Sequence, residues 1–240
     1  MEDQHIVSAF DRDLTELNRM IAQLGGMAEQ QLAAATELLD ARNPAPIDAL
    51  IAKDKELDAL EFHLNERAIE IIAIRSPMAT DLRRIIAAVK IASVLERIGD
   101  YAKNIAKRSR VIINSETNRA DSISLTRMAS LVQQMLNQVL DAYATSDADL
   151  AMDVWDRDQE VDQLHTSMYR DLLAMISAQS EVAEVSSHLL FIAKNIERIG
   201  DHTTSIAEQV YFLVNGELPS DDRPKADESS GANKDTDKGA

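Results

Sequence analysis

Between Ile6 and about Arg42 the apolar positions Phe10, Leu14, Leu17, Ile21, Leu24, Ala28, Leu32, Ala35 and Leu39 recur every three or four residues, the period of one helical face. Gly25-Gly26 lie inside this run, where each costs roughly 1 kcal/mol relative to alanine, so a kink or a close helix contact is expected there. Asn43-Pro44-Ala45-Pro46 reads as a turn between helices. A second helix follows over about Ile47–Arg75, with Leu50, Leu57, Leu60, Leu64, Ala68 and Ile71 as its stripe. Ser76-Pro77 ends it, because the residue before a proline avoids the helical region. A third carries Leu82, Ile85, Val89, Ile91, Leu95, Ile98, Ala102 and Ile105 to about Ile113, and polar residues Asn114–Asp121 lead onward.

The second half repeats this plan with helices expected over Ser122–Thr145, Asp147–Ala178 and Glu184–Val214, broken at Ser146-Asp147 and Ser180-Glu181. The pattern predicts an all-α protein of two tandem, sequence-related three-helix bundles, over 1–115 and 116–216. After Gly216 the apolar periodicity stops, and 217–240 reads as a disordered acidic tail.

Composition supports helices: aromatics are 4% and glycines only seven, so the core is Leu, Ile, Ala, Val and Met. The 41 acidic residues against 25 basic ones give a formal charge of −16, which argues against nucleic acid or an anionic membrane as direct partners. With no cysteine, disulfides, iron–sulfur clusters and thiol nucleophiles are excluded. The start, Met1-Glu2-Asp3-Gln4-His5, lacks the plan of a signal peptide, and no apolar run approaches a membrane span, so a cytoplasmic location is expected.

The candidate chemistry lies in Glu96-Arg97-Ile98-Gly99-Asp100, which recurs 101 residues later as Glu197-Arg198-Ile199-Gly200-Asp201. Each copy places two carboxylates four apart, on one helical face, which is unfavourable unless a cation sits between them. The preceding helix of each half has its own pair, Asp54/Asp58 and Asp158/Asp162. The midpoints of Asp54/Asp58 and Glu96/Asp100 are equally distant from Pro77, so an antiparallel hairpin brings both pairs to one height, about 30 Å from its turn. The second half gives the same register about its Gln179-Ser180 turn. Helical-wheel angles put Glu96, Asp100, Glu197 and Asp201 outside the bundle core and Asp54, Asp58 and Glu61 at the edge of their own helix's stripe, leaning towards that outer surface, with Gly99 and Gly200 leaving room for a ligand or helix. Two registered quartets of oxygen donors, with no cysteine and no inward histidine, suit divalent or trivalent ions such as Mg²⁺, Mn²⁺, Fe or Zn²⁺. The plainer reading is that the acids form a solvated face.

Other constellations are weaker. The paired Glu-x-x-His pattern of di-iron bundles is missing, Asp162-Gln163-Leu164-His165 being the nearest approach. His63, His188 and His202 read as surface or satisfied histidines, and Met20, Met27, Met128, Met135 and Met175 as core filler. Arg97 and Arg198 read as local partners of the acids. No Ser/His/Asp spacing or phosphate-cradling glycine loop stands out.

Over about residues 5–215 the chain resembles the PhoU family, the phosphate-transport regulatory proteins of bacteria. The resemblance rests on the doubled Glu-Arg-Ile-Gly-Asp, Asn104-Ile105-Ala106 after its first copy, Pro77-x-Ala79-x-Asp81-Leu82-Arg83, and Gly25-Gly26-Met27 with Glu29-Gln30-Gln31-Leu32. It implies multinuclear metal sites on Asp54, Asp58, Glu96 and Asp100, and on Asp158, Asp162, Glu197 and Asp201. It also implies a negative regulator of the phosphate-starvation response that couples the ATPase subunit of the phosphate ABC transporter to a membrane sensor histidine kinase, touching the membrane only through these partners. The second copy departs from the family at Ser205, where asparagine is usual, and its hairpin lacks the Pro and Asp-Leu-Arg run. The reading is a non-enzymatic, metal-binding, homodimeric adaptor; the alternative is a metal-dependent phosphohydrolase or oxidase using the same carboxylates.

Overall fold

The computed structural model describes residues 2–41, 43–115 and 122–220. Six long helices account for nearly all of them: α1 (Glu2–Ala41), α2 (Ile47–Arg75), α3 (Thr80–Asn114), α4 (Ser122–Thr145), α5 (Ala148–Ala178) and α6 (Ala183–Asn215), with a 3₁₀ turn at Ser180–Val182 before α6. No strand occurs among the described residues. The expected tail is described only as far as Ser220, non-helical beyond Asn215; residues 221–240 lie outside the described residues, as do 116–121 of the expected link.

The helix ends follow from local chemistry. The Asn43 side chain accepts from the Ala45 N–H in the first turn, and Asp147 caps α5 by accepting from the Leu150 N–H. Ser76 closes α2 in the left-handed conformation, its N–H bonded to the Ile72 carbonyl, which frees the chain to turn at Pro77. α1 runs unbroken through Gly25-Gly26, so the outcome there is a close contact. A Cβ at Gly25 would come 2.8 Å from the Leu140 side chain of α4.

The stripes meet in one continuous core of aliphatic side chains drawn from both repeats. Met128 and Met135 are fully buried within it, and Met20, Met27 and Met175 pack at its edge. Leu82 of the expected third stripe instead lies at the surface. A charged clamp ties α2 to α1, with Arg67 donating to Asp13 and Glu16 and Arg75 donating to Asp13.

The repeats join through α3 and α6. Lys90 lies over the Phe212 ring, Tyr101 stacks on His202 with centroids 5.5 Å apart, and Arg108 lies over Phe191. Numbers rise along α3 as they fall along α6, so the two helices are antiparallel. Tyr101 and His202 each follow the last acid of the repeated motif. Their stack therefore marks a pseudo-twofold axis relating the bundles.

Candidate functional site

In the first repeat the α2–α3 hairpin sets the four acids side by side as the register argument expects. The Lys103 ammonium bridges them, donating to Asp54 Oδ2 of α2 and Asp100 Oδ1 of α3, both at 2.5 Å. Burial alone would lower the pKa of this ammonium; its hydrogen bonds to Asp100 and Asp54 outweigh that and hold it above the ordinary lysine range. The second oxygen of Asp54, Oδ1, is buried without a hydrogen-bond partner. The Glu96 carboxyl is pushed up by its partial burial, then by repulsion from Asp100, Asp58 and Glu61, with Arg97 opposing. Asp58 is likewise raised, by desolvation first, then by Asp54, with Lys103 opposing and Asp100 adding to the rise. Lys103 and Arg97 together still leave the five acids Asp54, Asp58, Glu61, Glu96 and Asp100 with surplus negative charge.

The second repeat sets its acids along the contact between α5 and α6, and covers more of them. A Cβ at Gly200 would come 3.1 Å from Asp158 Oδ1 and 3.3 Å from Val161, so the missing side chain lets α5 close onto α6. Gly99 does the equivalent in the first repeat against Leu57 of α2 and the buried Gln31 amide of α1. Lys194 donates to Glu197 Oε1 at 2.7 Å.

The packing overturns two expectations. Of the motif acids expected outside the core, Glu197 is buried, at 5% exposure; on the preceding helices Asp54, expected at the edge of its stripe, is 4% exposed, Asp158 1% and Asp162 2%. Glu96, Asp100 and Asp201 are half-buried, and only Asp58 is exposed. A wheel drawn on one helix gives direction relative to its own stripe, whereas the neighbouring helix decides what is covered. The expectation of no inward histidine also fails. His165 is buried on the α5 face that carries Asp158 and Asp162, where the first repeat has the half-buried Glu61. His63 is exposed beside Glu66, as expected of a surface histidine.

The sequence reading missed Lys103 and Lys194. Their signal is the i, i+3 spacing of Lys103 after Asp100 and of Lys194 before Glu197, which places each ammonium over the acids. As the side chains stand, no three His, Asp or Glu among the described residues form a group that could hold a metal ion. The donor set nevertheless fits a hard or borderline cation by its chemistry. It offers carboxylates from two helices, surplus negative charge, and a buried Asp54 oxygen with no donor.

Two like three-helix bundles joined antiparallel, each with an acid-and-lysine seam between its second and third helices, define a duplicated helical-bundle protein. Among the described residues no helix is long and apolar enough to cross a membrane. The PhoU domain matches residues 21–109 and 125–210, one match in each bundle, and the chain belongs to the PhoU family. A Caulobacter vibrioides protein named phosphate-specific transport system accessory protein PhoU homolog is 42% identical over 224 residues, spanning 93% of this chain and 97% of that protein. A Rhizobium meliloti protein of the same name is 42% identical over 230 residues, spanning 96% and 97%. The crystal structure of PhoU from Pseudomonas aeruginosa superposes with a TM-score of 0.84 at 30% identity, covering 87% of this chain and all of that one.

Proposed function

We propose that this chain is a non-enzymatic accessory and regulatory protein of phosphate uptake. It acts as a cytoplasmic, homodimeric adaptor between the ATPase subunit of the phosphate transporter and a membrane sensor histidine kinase, and it holds the starvation response off when phosphate is plentiful. The observation that carries this reading is the near full-length similarity to phosphate-transport accessory proteins, which takes in both bundles and both acid seams.

Within this reading the seams are cation sites. Asp54, Asp58, Glu96 and Asp100 would hold a metal ion in the first bundle, and Asp158, Asp162, Glu197 and Asp201 in the second. A bound Mn²⁺, Fe, Zn²⁺ or Mg²⁺ would supply the charge that the clustered acids lack and fasten the second helix to the third. The long outer helix faces then serve for docking while the core stays intact.

Two measurements test the proposal. Deleting the gene should switch on phosphate-starvation genes in phosphate-rich medium; continued silence there would sink the regulatory role. Affinity capture from phosphate-rich cells should recover a transporter ATPase or a histidine kinase, and recovery of neither would remove the adaptor.

A further inference from the structure

We propose that Lys103 is the resident cation of the first acidic seam, an ammonium that a divalent metal ion must displace in order to bind there. The inference rests on the metal-site reading given above and adds what controls that site.

The first support is position. Lys103 joins an α2 carboxylate to an α3 carboxylate, the two elements a metal ion would also have to join. Its side chain is only 20% exposed, so the ammonium is seated in the seam rather than waving above it. The second is electrostatic. Asp54, Asp58 and Asp100 face this ammonium, and Glu96 lies against Asp100, Asp58 and Glu61 with only Arg97 opposing. One oxygen of the buried Asp54 still has no donor. The lysine therefore meets part of the demand for positive charge, and a doubly charged ion with several oxygen ligands meets more of it.

The third support is the comparison of the repeats. The motif offset puts Thr204 at the position of Lys103, and the Thr204 hydroxyl donates to the Asp201 carbonyl. The second repeat brings up Lys194 instead, whose counterpart in the first is Ser93. The two bundles thus place an ammonium on their acids from positions that the repeat does not share. Demand from the acids, rather than inheritance of one position, accounts for a lysine at both. A lysine is also suited to leaving. Its long unbranched stem can swing the ammonium to solvent by side-chain rotation, with no movement of α3.

The test uses the full chain, freed of metal by chelation, with Mn²⁺ as the ligand. Titration calorimetry should show binding about tenfold tighter in Lys103→Met than in wild type, equivalent to about 1.4 kcal/mol. Lys107→Met removes the same charge from an exposed position one turn further on, and it should change the affinity far less. Equal gains in both variants would mean general charge rather than displacement and would overturn the proposal, as would no gain in Lys103→Met. A second reading needs no variant. Acetic anhydride labelling of the wild type, read by mass spectrometry, should find Lys103 protected without metal and acetylated faster with Mn²⁺. Unchanged labelling despite Mn²⁺ binding would sink the displacement alone, leaving the metal sites standing. Absence of Mn²⁺ binding in wild type and Lys103→Met alike would sink both.

Discussion

Asp54 and Asp158 hold equivalent places in the two repeats and both are buried, whereas their partners four residues on differ, Asp58 being exposed and Asp162 covered. A buried carboxylate is tolerated only with a charge or donors beside it. Asp54→Ala removes half of the Lys103 bridge and should lower unfolding stability by about 2 kcal/mol, read as a lower urea midpoint. An unchanged midpoint would show that the bridge is solvated. Glu96 and Asp58 behave oppositely, since burial and neighbouring acids raise both carboxyls above their ordinary values. The folded protein then keeps these protons to higher pH than the unfolded chain does. Their ionisation weakens the fold as pH rises through the raised values, and the penalty vanishes below the ordinary carboxylate range. The melting temperature of metal-free protein should therefore rise as pH falls from neutral towards the ordinary carboxylate range. Glu96→Gln should flatten that slope, and a slope unaltered by the substitution would place its cause elsewhere.

At the scale of elements, the glycines separate what a helix wants from what its neighbours permit. A Cβ added at Gly26 would meet nothing within 4 Å, so Gly26→Ala should stabilise α1 by about 0.5–1 kcal/mol through lost chain entropy. Gly25, one residue away, faces Leu140 across the α1–α4 contact. Gly25→Leu should destabilise by about 1–3 kcal/mol through overpacking, and thermal melts of the two variants should move in opposite directions. The helices themselves were legible because their apolar positions recur without interruption between strong breaks. The bounds of α2 and α4 match the expected residues, and α5 begins one residue later only because Asp147 serves as its cap. What local pattern could not choose was the outcome at Gly25-Gly26, since a kink and a close contact leave the same sequence trace.

At the scale of the whole molecule, α3 and α6 bind the repeats into one core about the Tyr101–His202 stack. The described helices should unfold in a single calorimetric transition, and two resolved transitions would show that the bundles are independent units. Residue order was enough to specify the six helices, their duplication, and the hairpin registers that level Asp54/Asp58 with Glu96/Asp100 and Asp158/Asp162 with Glu197/Asp201. Each of these follows from spacing along a chain of fixed rise per residue. Packing in three dimensions was needed to settle which acids are covered, that His165 turns inward, and which lysine reaches each seam. Equivalent residues such as Asp58 and Asp162 lie at the same height and differ in exposure because exposure depends on how closely the neighbouring helix approaches. That approach is set by side chains distant in sequence, among them Gln31 and Leu57 at Gly99 and Val132, Asp158 and Val161 at Gly200.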